Sequence, residues 1–209
     1  MKIIPIISAI FWLLTYLFII ISGFVDGTYG MPGVALCANL AWEFIFSFLK
    51  PHKQPQRTVN RLWLLFDFVI LYQFIKYGPA EFASVFSVST FYALFSIALL
   101  LSFALIYFSV DEFDDHYGRY AAFSQNLLMS VLFVLMLLTR KTLAGQSIYI
   151  AIFKWIGTLL PCYYFYRKYP KSHLLNTLYV GIFVFDVLYI GLIAYYANMA
   201  GINPWLKFF

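Results

Sequence analysis

Charge is what this sequence has least of. Aspartate and glutamate number nine and lysine and arginine 14 among 209 residues, a charged fraction of 11%. Water-soluble domains carry about 25%, so a chain that is 63% hydrophobic with so little charge cannot be a soluble enzyme or binding module. Cysteine is nearly absent. Cys37 and Cys162 are the only two, both inside apolar runs, where the residue acts as a small apolar side chain. No second ligand pair accompanies them, which leaves a disulfide framework or metal site unsupported. The three histidines, His52, His116 and His173, lie in loops without the spacing of a zinc or haem site. Repeats, low-complexity tracts and soluble-domain linkers are missing as well.

What is present is apolar length. Runs near 4–23, 32–49, 62–77, 84–109, 119–138, 145–165 and 174–197 approach the roughly 20 residues that cross about 30 Å of hydrocarbon. The fold class predicted is all-α, one seven-transmembrane-helix bundle over residues 1–209. The first run is too long for a signal peptide and no small-residue cleavage site follows it, so it is expected to stay attached. The net charge of +5 is no nucleic-acid patch, because the basic residues sit in short loops. Alternating those loops by side places Lys2, Lys50, Lys53, Arg57, Arg61, Arg119, Arg167, Lys168 and Lys171 on one face. The other face receives only Lys76, Arg140, Lys141 and Lys207. That bias predicts a cytoplasmic amino terminus in an integral, multi-pass protein of the bacterial inner membrane or endoplasmic reticulum.

Against this background four ionisable residues stand inside spans: Glu43, Asp67, Lys154 and Asp186. An ionisable group in hydrocarbon costs several kcal/mol, so each is either functional or paired. Asn39, Trp42, Glu43 and Phe46 follow helical spacing and share a face, as do Tyr179, Phe183, Asp186 and Tyr189. Lys154 needs compensation, and an architectural bridge to Asp67, Glu43 or Asp186 would supply it. One lysine neutralises one carboxylate, which leaves two carboxyls to explain. A carboxyl among apolar rings resists ionisation, so it keeps a proton at neutral pH that it can deliver as a general acid in a dry site. Beside electron-rich rings such an acid suits protonation of an alkene or epoxide, with the carbocation held by cation–π attraction.

Two other chemistries compete. The run Asp111-Glu112-Phe113-Asp114-Asp115 could hold magnesium and a diphosphate, as a membrane prenyltransferase would, although that class carries two such clusters. The same buried carboxyls could serve a proton-coupled small-molecule transporter or a lipid-binding receptor, but no internal duplication accompanies them. A retinal protein is excluded, because the seventh run contains no lysine.

The stretch DGTYGMPGVALCANLAWEFIFSF, residues 26–48, resembles the integral-membrane terpene cyclases of fungal meroterpenoid and indole-diterpene biosynthesis, of paxilline and pyripyropene type, and their bacterial relatives. Asp26, Thr28, Tyr29 and Gly30 match that family's turn, and Asn39, Trp42 and Glu43 its helix pattern. Segments around Asp67, Lys154 and Asp186 follow in the family's order, so the similarity extends over nearly the whole chain. The resemblance implies a metal-independent, cofactor-free cyclase acting on a lipophilic isoprenoid or a prenylated aromatic or indole, with Glu43 and Asp186 as its acids. Asp186, the deeper of the two, is the expected proton donor. Glu43 would relay the proton, and Asn39, Trp42 and Tyr189 would orient the carboxyls or shield the cation. Phe46, Asp67, Lys154, Tyr179 and Phe183 complete the expected substrate-facing set. Such chemistry requires an enclosed hollow between the second and seventh helices.

Overall fold

A computed structural model describes residues 3–209, and Lys2, counted above among the orienting cations, lies outside the described residues. The regular structure among them is entirely helical: α1 (Ile3–Val25), α2 (Gly33–Phe44, continued by a π-helical turn, Ile45–Leu49), α3 (Gln56–Glu81), α4 (Val88–Glu112), α5 (Arg119–Arg140), α6 (Ile148–Lys168) and α7 (His173–Met199). Each predicted run falls on one of these helices. Six of the seven are long and apolar enough to cross a membrane, and α2 with its π turn is shorter.

The boundaries follow local chemistry more than hydropathy. Helix α3 starts six residues before its apolar run, because Gln56 and Asn60 stay helical and pair along one face, Gln56 Nε2 donating to Asn60 Oδ1 at 2.8 Å. Ser87, Ser147 and Ser172 begin α4, α6 and α7, each hydroxyl accepting an otherwise unpaired amide of the first turn. Ahead of the short α2, residues 29–32 are buried without regular structure. Backbone of that kind is stable at depth only when protein covers it. Here Arg140 Nη1 donates to the Tyr29 and Ala144 carbonyls while its other nitrogens fork onto Glu81 at 2.9 and 2.7 Å. Asp26 adds a bond from the Gly145 amide (2.7 Å) and one from Lys207 (3.0 Å). A Cβ on Gly145, whose φ is +69°, would stand 2.8 Å from the Tyr29 carbonyl oxygen. The turn containing Asp26, Thr28, Tyr29 and Gly30 is thus a clasp at one end of the bundle.

Two prolines interrupt helices and leave a carbonyl without its amide partner. Pro161 in α6 frees the Gly157 carbonyl, which accepts Ser8 Oγ of α1 at 2.7 Å. Pro79 in α3 frees Ile75, which accepts Tyr92 Oη of α4 at 3.2 Å. In both cases a hydroxyl from the neighbouring helix replaces the missing N–H. Packing contacts join α1 to α6 and α3, α2 to α3, α4 and α5, and α7 to α5 and α6. Six helices therefore close a ring in the order α1, α3, α2, α5, α7, α6, with α4 applied outside α2.

Candidate active site

Inside that ring lies a cavity of about 370 Å³, lined from α1, α2, α3, α5, α6 and the loops at one end, with no residue from α7. The hollow expected between α2 and α7 is therefore elsewhere, because α5 and α6 stand between α7 and the cavity's lining. Its inner walls are aromatic: Trp12 and Tyr16 from α1, Trp42 from α2, Trp63 from α3 and Phe123 from α5. Size and lining fall in the usual range for a site that encloses a small lipophilic molecule.

Glu43 is the one carboxyl on the cavity wall, and its side chain is fixed by a relay of donors. Asn39 Nδ2 donates to Tyr16 Oη at 2.9 Å, and Tyr16 Oη donates to Glu43 Oε1 at 2.7 Å. Oε2 of Glu43 has no hydrogen-bond partner, and the residue is only 3% exposed. Asp67 of α3, fully buried, stands within hydrogen-bonding reach of Glu43, Asn39 and Tyr16. Two carboxyls therefore meet at the cavity floor, and no ion pair reaches either of them among the described residues.

Asp186 is placed differently. Lys154 Nζ of α6 donates to Asp186 Oδ1 at 2.5 Å and to Ser130 Oγ of α5 at 2.7 Å, with the lysine and aspartate side chains 1% and 2% exposed. Of the three carboxylates open to Lys154, the one it meets is Asp186, and the contact joins α5, α6 and α7. Tyr179, Phe183 and Asp186 do line a common space, but it measures about 10 Å³, no more than one water fills. Phe183 is 45% exposed and points out of the bundle. Tyr189 leaves the expected stripe: ten residues beyond Tyr179 the 3.6-residue repeat has turned its side chain by roughly 80°. It donates instead to Gln146 Oε1 at 3.0 Å and packs on Phe133. Phe46 lies behind the cavity wall, stacked on His52 with ring centroids 4.5 Å apart.

The wall facing the loops depends on one backbone feature. Gly118 enters α5 at φ +59°, and a Cβ there would fall 2.2 Å from the Phe46 ring, so glycine alone fits. Trp42 Nε1 donates to the Gly118 carbonyl at 3.4 Å. His52, edge-on to Trp42, donates from Nε2 to the Tyr117 carbonyl (3.2 Å) and accepts at Nδ1 from Asn60 (3.1 Å), a pattern that requires the neutral ring. Burial holds its pKa below the ordinary 6.5, outweighing the Tyr117 carbonyl and Asp115, which pull it up. A depressed histidine contributes stability that is complete above the unfolded value and lost as pH falls through the folded one. Thermal unfolding of the purified protein is expected to move to lower temperature as pH drops below about 6.5. His52→Phe should flatten that dependence, and an identical slope in the variant would remove His52 as its source.

The acidic run at 111–115 does not gather around a common point. Asp111 binds Lys50 at 2.6 Å, Asp114 lies 3.3 Å from His116, and Asp115 binds Arg119 at 2.8 Å while accepting the Tyr120 amide. Residues that the sequence did not single out complete the site, chiefly Tyr16, Trp12 and Trp63, with Gln125 and Asn126 on the opposite wall. The spacing of Ser8, Trp12 and Tyr16, four residues apart on one face of an apolar run, was the available signal.

The family model described as Pyr4-like transmembrane terpene cyclases matches residues 1–198. The chain is 28% identical over 186 residues to the Pyr4-family terpene cyclase mfmH of Annulohypoxylon moriforme, covering 86% of this chain and 77% of that one. It is 29% identical over 155 residues to the terpene cyclase andB of Emericella variicolor, covering 73% and 66%. A shorter stretch of 71 residues is 38% identical to the terpene cyclase pyr4 of Aspergillus fumigatus, covering 34% and 30%. No solved structure matches the chain. With a ring of apolar helices, an aromatic cavity and a match from its first residue to residue 198, the chain belongs to the Pyr4-like transmembrane terpene cyclases.

Proposed function

We propose that the protein is a membrane-embedded cyclase in which Glu43 protonates the distal alkene or epoxide of a linear isoprenoid and the cavity folds the resulting cation into rings. The observation that carries this reading is a buried Glu43 on the wall of an aromatic cavity, backed by a second carboxyl, Asp67, with no cation paired to either among the described residues. Tyr16 occupies Oε1, which leaves Oε2 as the oxygen that carries the transferable proton. On transfer, the carboxylate left behind is stabilised by the Tyr16 hydroxyl, a donor already in position. Asp67 shares and resupplies the proton, since adjacent carboxyls in a dry site cannot both ionise. The donor is thus Glu43, and Asp186 serves with Lys154 as a structural pair.

The rings of Trp12, Trp42 and Trp63 offer their faces to the migrating cation, each worth about 0.5–2 kcal/mol. Folding the chain before protonation contributes through entropy already spent on binding. Exclusion of water delays capture of the cation until a neighbouring carbon gives up a proton, which returns to the carboxylate left on the Glu43–Asp67 pair and restores its starting state. Six helices of spanning length, with α2 packed on α3, α4 and α5, would insert in the bilayer with the lysine-rich face cytoplasmic. The cavity would open on that face.

Membranes containing the protein, incubated with plain and terminally epoxidised farnesyl phenols, are expected to yield cyclic products of unchanged mass, separable by chromatography and mass spectrometry. Complete recovery of linear substrate by folded protein would defeat the proposal.

A further inference from the structure

The cavity is electrically polarised along its length. Four charged residues line it: Glu43 at the floor and Lys53, Arg119 and Lys168 at the mouth. No carboxylate lines the mouth. Arg119 is already satisfied by Asp115 at 2.8 Å, but Lys53 and Lys168 have no ion-pair partner among the described residues. Lys168 is instead held over the rings of Tyr117 and Tyr169, 5.4 Å from each centroid, which keeps its ammonium group near the opening. Both lysines are exposed at the rim, where an anionic group could meet their ammonium groups while an apolar chain fills the interior.

Resting on the cyclase reading, we infer that the mouth is a head-group site: Lys53 and Lys168 bind an anionic oxygen group, a carboxylate, phenolate or phosphate, on the end of the isoprenoid that does not react. The distances agree. Arg119 and Met129, both lining residues, are ten residues apart on α5, and Ile4 and Tyr16 are twelve apart on α1, giving roughly 15 and 18 Å from mouth to floor. Extended chains advance about 3.6 Å per three bonds, so each four-bond isoprene repeat covers roughly 5 Å. Three repeats cover roughly 15 Å at full extension, so with the length of the head group added the distal carbons can meet Glu43 while the chain is partly folded. The same anchoring selects which end is protonated, because a chain entering in reverse would bring its anion against two buried carboxyls.

The test uses binding and needs no turnover. The saturated probe 3,7,11-trimethyldodecanoic acid and its methyl ester are titrated at pH 7.5 into the protein in phosphatidylcholine nanodiscs, and quenching of tryptophan fluorescence is followed. The wild type is expected to bind the acid about tenfold more tightly than the ester, as two partly exposed charge contacts would give. The preference should shrink with added salt. The double variant Lys53→Gln/Lys168→Gln should bind both probes with the ester's affinity, which remains unchanged and reports an intact cavity. Equal binding of acid and ester by the wild type, or a preference that survives the double variant, would overturn the inference. A preference abolished by phosphatidylglycerol in the disc would also overturn it, by identifying the mouth as a site for lipid head groups. Cyclisation without an acid preference refutes the head-group site alone, and an acid preference without any cyclisation refutes the proposed reaction alone.

Discussion

Glu43→Gln is expected to lower cyclisation by about 10³-fold, the scale of a general acid removed, because Asp67 does not line the cavity and cannot replace it at the substrate. Glutamine keeps the shape of the side chain and still accepts the Tyr16 hydroxyl at Oε1, so the cavity remains and only the transferable proton is gone. Binding of the saturated ester, measured by tryptophan quenching, should be unaltered. Asp67→Asn is expected to cost less, about ten- to a hundredfold, because Glu43 keeps its proton and loses only the group that renews it. Full turnover in Glu43→Gln would show that the proton comes from elsewhere, whatever happens at Asp67.

Asp186→Asn should be the most destabilising conservative substitution in the bundle. It leaves the Lys154 ammonium buried with only neutral acceptors, the new amide oxygen and Ser130 Oγ, and removing the counter-charge of a buried pair costs about 3–5 kcal/mol. For a chain of this size that is a fall of roughly 10 °C in Tm. Activity would fall with it, as loss of folded protein. The decisive variant replaces both partners, Lys154→Met with Asp186→Leu, since an apolar pair of similar volume is often as stable as the ion pair. The double variant is expected to regain the wild-type Tm and substantial turnover. Restored stability without turnover would give Asp186 a chemical role and return it to the place the family resemblance suggests.

The seven helices were legible because burial in hydrocarbon leaves one signature, apolar length, which local chemistry adjusts only at the ends. Glu43 was legible for a similar reason: a carboxyl three turns into an apolar run with an amide and an indole on its face has few explanations. Its surroundings were not. Whether Lys154 meets Asp67, Glu43 or Asp186 depends on the order of helices around the ring, and nothing local to any one helix encodes that order. Depth alone ranks Asp186 ahead of Glu43 as the donor, yet α7 touches α5 and α6 and contributes no residue to the cavity. Tyr16 escaped notice because a tyrosine in a membrane-length helix ordinarily marks an interface, and its partner is 27 residues away. The acidic run at 111–115 offers a magnesium site only as an alternative, because adjacency in sequence is not convergence in space. Three of its carboxylates turn to three different basic partners.

The bond from Ser8 to the carbonyl freed by Pro161 makes two distant positions inherit their fate jointly. Both side chains belong to the chamber's lining, where reshaping would be attempted to redirect ring formation. Alanine at position 8 strands a backbone oxygen in a water-free setting, whereas an ordinary residue at 161 brings back its amide and sets the hydroxyl at liberty. Traffic between these sites therefore runs in one direction: the proline must go first, and only then does the serine become a position open to redesign.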